Sequence, residues 1–470
     1  MTLWTVLTDV SMMGGLLLLG QLLRAKLKIF QKLLIPPALI AGILALALGP
    51  NGWGILPFSK SLSTYASVLI VIVFAAMPIG DKPSKEAKSG PAIGGMFFNI
   101  TGVAVLQYAV GMFLTVYVLD LFFKNLNPGF GLMMATGFYG GHGTAAAVGH
   151  MKALVGIEAS ALGYTTATVG LVGGIISGVA IINWGARKGY THYVTSPKDL
   201  PLSMKTGLVQ PMDQQESTKA TISTICMDPM AFHLGLVLVP SLFGYMLSKA
   251  LVPVIGVEIP AFCTALLFGF IVNAVMNKTH SDKYIDRGSI SRISGTSTDF
   301  LMVSGIGSLQ LGIVVKYAVP LIVVCVAGFL TNWLWFHFVG KHSSPKDWFE
   351  RNMMVWGHAC GVAATGVMLQ RICDPELKSR GIEDSGIADL INRPIIVGLQ
   401  VIPPVLMTSM ATAGPHIVTW VCFAIVVAMG IVAYACKWWT PKSKVQTYSQ
   451  TAVGKVEEMP ISRNDQGKAA

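Results

Sequence analysis

Two stretches of small and polar residues interrupt the apolar runs of this chain at matching places. The first is Gly140-Gly141-His142-Gly143-Thr144-Ala145-Ala146-Ala147, and the second is Gly357-His358-Ala359-Cys360-Gly361-Val362-Ala363-Ala364-Thr365-Gly366. A helix that stops inside an apolar layer leaves partly positive N–H groups at the start of the next half-helix and partly negative carbonyls at the end of the one before. The first kind of end suits a carboxylate, the second a small hard cation. Breaks at corresponding points of two membrane-embedded halves point to a transporter binding site. The candidate substrate residues are therefore Gly140, Gly141, His142, Gly143 and Thr144 at the first break, and His358, Ala364, Thr365 and Gly366 at the second.

Neighbouring side chains extend this chemistry. The glycines permit positive φ and close approach of backbone to ligand, and the Thr144 hydroxyl can cap the following half-helix or touch substrate. Thr165, Thr166 and Thr168 follow the first break, and Thr408, Ser409 and Thr412 follow the second. Both groups offer neutral oxygens to a cation, or can instead bond the carbonyl four residues back. His142 and His358 could donate to a carboxylate, titrate and couple transport to protons, or simply tie down a loop carbonyl. No carboxylate or thiolate joins them at ligand spacing, so no metal is expected beyond a transported cation. Asn99, Gln107, Gln310 and Gln400 are polar residues near or within apolar runs, open to a cavity-facing or an interhelical reading. Asp299, after Thr296-Ser297-Thr298, reads as a helix-start residue at the inner boundary.

These residues need a membrane to stand in. With 53% hydrophobic and 12% charged residues and a mean hydropathy of +0.61, the chain cannot cover soluble domains with polar surface. Runs such as 3–23, 61–80, 92–119 and 318–339 approach or exceed the roughly 20 apolar residues that cross a bilayer as helix. They do not alternate polar with apolar as barrel strands do. The N-terminus has no basic region and no small-residue cleavage site, so 3–23 reads as a retained span rather than a signal peptide. The seven cysteines show neither disulfide nor metal spacing.

The net charge of +11 reads as topology. With the N-terminus outside, the C-terminus in the cytoplasm and the runs alternating in direction, only Lys60, Lys124, Lys152, Lys249 and Lys316 of 34 basic residues face outward. That asymmetry is what the positive-inside rule requires. It holds only if 129–151 enters and leaves from outside and 353–371 enters and leaves from inside. Both are then re-entrant hairpins and both carry the repeated break; the competing reading is a pair of ordinary spans with glycine packing faces.

The expected fold is an all-α polytopic membrane protein of two five-helix repeats, each with a re-entrant hairpin. The first repeat, 1–185, holds spans near 3–23, 33–50, 61–80, 92–119 and 158–183. The second, 229–413, holds spans near 229–250, 258–276, 297–315, 318–339 and 394–412. Both second spans open on an Ile-Pro step, Ile35-Pro36 and Ile259-Pro260, which suits a helix start. Five crossings per repeat invert the second copy. Residues 414–436 add a span, 186–228 form a polar cytosolic linker, and 437–470 form a polar cytosolic tail.

Two rival classes lack their signatures. A membrane enzyme needs a nucleophile and base, or a metal motif such as His-Glu-x-x-His, within its spans, and the sequence has neither. A channel needs a carbonyl filter or a charged ring, and neither is evident. The favoured reading is a secondary carrier of a carboxylate coupled to sodium, with a proton-coupled carboxylate carrier as the alternative and an ion channel behind it.

The Gly-Gly-His-Gly-Thr run at 140–144, the Thr-Ala-Thr-Val-Gly-Leu-Val-Gly-Gly stretch at 166–174 and the Ile182-Asn183-Trp184-Gly185 helix end resemble the bacterial sodium/glutamate symporter (ESS) family, as a divergent member. The resemblance implies two inverted repeats with opposed re-entrant loops and sodium-coupled symport of L-glutamate across the bacterial inner membrane. It also implies elevator-like alternation, Na⁺ as the coupling ion with no cofactor, and a homodimer.

Overall fold

The computed structural model describes residues 2–441 apart from 34, 81–89, 125, 150, 152–158, 194–201, 215–217, 256–260, 345, 375–377 and 411–412. Every regular element among the described residues is helical. The helices that build the site are, in chain order, α1 (Leu3–Lys26), α2 (Pro37–Leu48), α3 (Leu62–Gly80), α4 (Gly90–Phe113), α5 (Leu132–Gly137), α6 (Gly141–Val148) and α7 (Ala159–Arg187) from the first half. The second half gives α8 (Pro229–Ile255), α9 (Ala261–Lys278), α10 (Arg287–Gly307), α11 (Ala318–Leu334), α12 (Trp348–Cys360), α13 (Ala363–Cys373), α14 (Gly381–Ser409) and α15 (Gly414–Ala435). Eight of these, α1, α3, α4, α7, α8, α9, α11 and α15, are long and apolar enough to cross a membrane.

Three expected spans come out differently. The run at 33–50 yields only the short helix α2. The span expected at 297–315 is α10, which starts at Arg287 because Asp286 caps it, accepting from the Ser289 N–H at 2.9 Å and hydroxyl at 2.7 Å. Asp299 therefore lies inside the helix, not at its start. The span expected at 394–412 belongs to α14, which begins at Gly381 and bends by 55° between 381–389 and 391–407. Pro394 lacks the N–H that would bond the carbonyl of residue 390, which accounts for a bend there.

The helices pack as two groups, each drawing on both halves of the chain. In one, α1, α2 and α3 pack with α8, α9 and α10; Phe74 and Phe262 meet edge-to-face at 4.8 Å across α3 and α9. In the other, α4 lies among α5, α11, α14 and α15, and the helix pairs α5–α6 and α12–α13 sit against α7. Between the groups the contact is close and made through glycine. A Cβ on Gly143 would lie 2.7 Å from Ile70 Cδ1 of α3, and one on Gly305 of α10 would lie 2.7 Å from Tyr164 Cε1 of α7.

The described linker touches both groups: Tyr193 donates to Asp347 Oδ2 beside α12 at 3.0 Å, and the later part lies on the first group. Gln21 Nε2 donates to the Thr206 carbonyl at 3.3 Å, and the Lys219 N–H donates to Asp286 Oδ2 at 3.1 Å. The Ile259-Pro260 step, Lys82, Lys85, Lys88, Thr412 and the tail from 442 fall outside the described residues, as do the side chains of Ala364, Thr408 and Ser409.

Candidate functional site

The first break is a tight reversal between α5 and α6. The chain turns through 138–140, where the Gly140 N–H bonds the Ala135 carbonyl at 3.0 Å, and Gly141 takes a φ of 65° that residues with a Cβ rarely adopt. α6 starts here, so its unbonded N–H groups lie at the turn. Thr166 fastens the arm before it: its hydroxyl has the Met133, Gly163 and Leu162 carbonyls at 2.9, 3.0 and 3.1 Å. Four oxygens thus converge at one buried point. Thr168 donates to the Tyr164 carbonyl at 2.8 Å, which makes His142 Nε2, 3.0 Å away, the donor to Thr168 Oγ1. Thr165 is occupied by the Ala161 carbonyl at 2.8 Å.

The second break spans only Gly361 and Val362, between α12 and α13. Val362 is extended, and α13 resumes at Ala363 with the Thr365 N–H on the Val362 carbonyl at 2.9 Å. The two arms are pressed together by glycines: a Cβ on Gly366 would sit 2.3 Å from the Met354 carbonyl, and one on Gly357 would sit 2.5 Å from the Gly366 nitrogen. Gly366 therefore joins the arms. Thr365 is buried close to the tip, its hydroxyl 3.1 Å from where a Gly361 Cβ would stand.

The two breaks meet. A Cβ on Gly141 would lie 2.8 Å from Val362 Cγ1 and 3.3 Å from the Gly361 carbonyl. Tyr139 of the first tip stacks on His358 of the second with ring centroids 4.7 Å apart. Two half-helix N-termini, α6 and α13, are thereby brought to one junction from separate halves of the chain. Of the sequence candidates, Gly141 and His358 stand at this junction, with Gly140, His142 and Thr144 within the first hairpin and Thr365 within the second. Gly143 faces α3 instead.

A family model described as sodium/glutamate symporter matches residues 3–370, most of the chain and both breaks. The chain belongs to that family. No curated protein matches it. The symporter is accordingly a multi-pass membrane transporter of a sodium-coupled family, and the resemblance carried by the first hairpin and α7 is borne out.

The match ends before α14; of the residues that helix adds to the site, the sequence had raised Gln400 but neither Asp389 nor Asn392. Asp389 Oδ1 lies 3.8 Å from His358 Nδ1. Asn392 donates to the Tyr139 hydroxyl at 3.1 Å and accepts from Thr101 at 2.9 Å. Gln400 donates to Thr144 Oγ1 at 3.1 Å. The symporter's α14 thus runs past both tips. Taken as the connection before a span starting at 394, this stretch hid its charged residues; a charge within a helix was the signal. The other in-span amides are interhelical ties: Gln107 donates to Asn332 Oδ1 at 2.8 Å and the Ala359 carbonyl at 2.7 Å, and Asn99 donates to Asn352 Oδ1 at 2.7 Å. Gln310 precedes a short helix, Leu311–Lys316, and is exposed.

Proposed function

We propose that this symporter couples Na⁺ entry to the uptake of L-glutamate or a related carboxylate across the bacterial cytoplasmic membrane by alternating access. The observation that carries the reading is the meeting of the two helix breaks. α6 and α13 both begin at the junction, so both direct partial positive charge to where a carboxylate can bind. In this reading the hairpins are re-entrant, the first from outside and the second from inside. Na⁺ sits beside the first, where the Thr166 hydroxyl converges with the Met133, Leu162 and Gly163 carbonyls. Neutral oxygens at one point are what a hard cation selects. The grouping of helices supports the alternation: both hairpins belong to one group, and Gly143 and Gly305 give its face against the other little side-chain relief.

The test is uptake into proteoliposomes holding the purified symporter. An inward Na⁺ gradient should drive saturable accumulation of labelled L-glutamate above its outside concentration, and equal Na⁺ on both sides should abolish it. Accumulation driven by a proton gradient without Na⁺ would overturn the coupling, and equilibration without accumulation would make the protein a channel.

A further inference from the structure

A symporter does work only if each ligand raises the affinity for the other, and coupling of that kind amounts to roughly 5- to 150-fold. The oxygens around Thr166 and the junction of the tips are separate places, so the coupling needs packed groups that touch both. The short helix α5 and the turn after it do so. At the end of α5 Gly137 adjoins the first place: a Cβ there would collide with the Thr166 hydroxyl oxygen. Two residues on, Tyr139 reaches the second, its ring 14° from parallel with that of His358. Phe138 between them is buried, meets Phe329 edge-to-face at 4.8 Å and lies 3.2 Å from where a Gly170 Cβ would stand, which seats the turn against α7 and α11. Tyr139 is itself 7% exposed and held at both ends. Its ring lies on His358, and its hydroxyl accepts from Asn392, whose own carbonyl accepts from the Thr101 hydroxyl at 2.9 Å. A ring so fixed does not swing aside when its helix shifts, and close packing passes the shift to its partner.

The Thr166 hydroxyl has one proton for three converging carbonyls, so it serves one of them at a time. A cation takes all four oxygens together, the Met133 carbonyl of α5 among them. We propose that Tyr139 is the positioning residue that couples the two ligands of this symporter: Na⁺ at Thr166 fixes α5, and Tyr139 carries that constraint to His358 and the second tip, where the carboxylate binds. The inference rests on the carrier reading above and names the side chain through which its cation acts on its substrate. A residue that only fills space weakens glutamate binding alike with and without Na⁺. A coupling residue changes the ratio.

Glutamate binding is measured by calorimetry on detergent-purified symporter at saturating Na⁺ and with choline in its place. The wild type should bind roughly 10- to 100-fold more tightly in Na⁺. Tyr139→Phe keeps the stack and should hold that ratio within about twofold. Tyr139→Leu should bring it below about threefold, by weakening binding in Na⁺ while leaving that in choline nearly unchanged. The gain in Na⁺ affinity on adding glutamate should shrink by the same factor, since coupling is reciprocal. A Tyr139→Leu variant that binds less tightly in both media, with the ratio kept, would make Tyr139 a packing residue and overturn the proposal. If that variant does not fold, His358→Leu removes the same stack from the other tip, and an intact ratio there overturns the proposal equally. A wild type that binds no glutamate, or binds it equally with and without Na⁺, overturns the carrier reading instead.

Discussion

His142 at the first hairpin is 3% exposed and donates to Thr168 of the next helix, while His358 at the second stacks on Tyr139 and faces Asp389. Near-identical letters thus end in different surroundings. The first tip is closed by a positive-φ glycine and held by backbone carbonyls around Thr166. The second is an extended break whose arms are welded by Gly357 and Gly366. The comparison teaches that a repeated motif marks where the chain must break, and that the helices packed around each copy decide what that copy does. The first hairpin contributes geometry and an oxygen cluster; the second turns His358 toward Asp389 of α14.

The largest effects should come from the two glycines, and they should differ in kind. Gly141→Val puts a Cβ at positive φ and against Val362, at the surface of a junction, so membrane insertion should persist while uptake falls about 100-fold or more. Gly366→Val drives a branched side chain into the Met354 carbonyl within a hairpin, so folded yield itself should drop. Fluorescence-detected size exclusion beside uptake separates the two outcomes; equal yields with equal transport would erase the distinction.

Next come the histidines. His358→Ala removes a group that stands with Asp389 at the junction, and should raise the apparent KM for glutamate by about tenfold. His142→Gln keeps a donor for Thr168 and should change it by no more than about threefold. The reverse order would place the substrate in the first hairpin alone.

Thr166→Val preserves shape and deletes one of four converging oxygens. The Na⁺ concentration giving half-maximal uptake should rise roughly 5- to 100-fold, with glutamate affinity at saturating Na⁺ unchanged. An unaltered Na⁺ dependence would leave Thr166 a helix fastener.

The smallest effect lies at the base of the second hairpin, outside the candidate spans. Glu350 accepts from the His192 N–H at 2.5 Å, and its other oxygen is buried without a partner. Burial, with Asp347 and Asp374 adding to it, pushes its carboxyl up to about 8. A raised carboxyl favours the protonated form, so its contribution to stability is full below the ordinary carboxylate range and is lost as pH rises toward that value. Thermal unfolding in detergent should therefore show a melting temperature that falls between about pH 5 and pH 9 in the wild type and less in Glu350→Gln. Parallel curves would mean that Glu350 is not the group responsible.

What the sequence made legible was what is local. Hydropathy marks a long apolar helix wherever it runs, and Gly140 and Gly141 mark a break because nothing else turns so tightly. The family resemblance lay in the same residues. The missed features are those that averaging conceals: the charged first half of α14 and the polar first turns of α10 dilute an apolar window, so both spans seemed to begin late. Partnership was illegible altogether. Nothing in the letters near Gly366 says that its missing Cβ makes room for Met354, nor that His358 and Asp389 meet across thirty residues of intervening chain.

The central claim is that substrate occupies the junction where the two breaks meet. Val362 lines it beside Gly141. In a symporter whose own seven cysteines are replaced, the reaction of Val362→Cys with a small thiol reagent is timed in membranes. The account predicts that glutamate and Na⁺ together slow that reaction about tenfold or more while either alone does little, as coupled occupancy requires. An unchanged rate in a variant that still transports glutamate would place the substrate elsewhere.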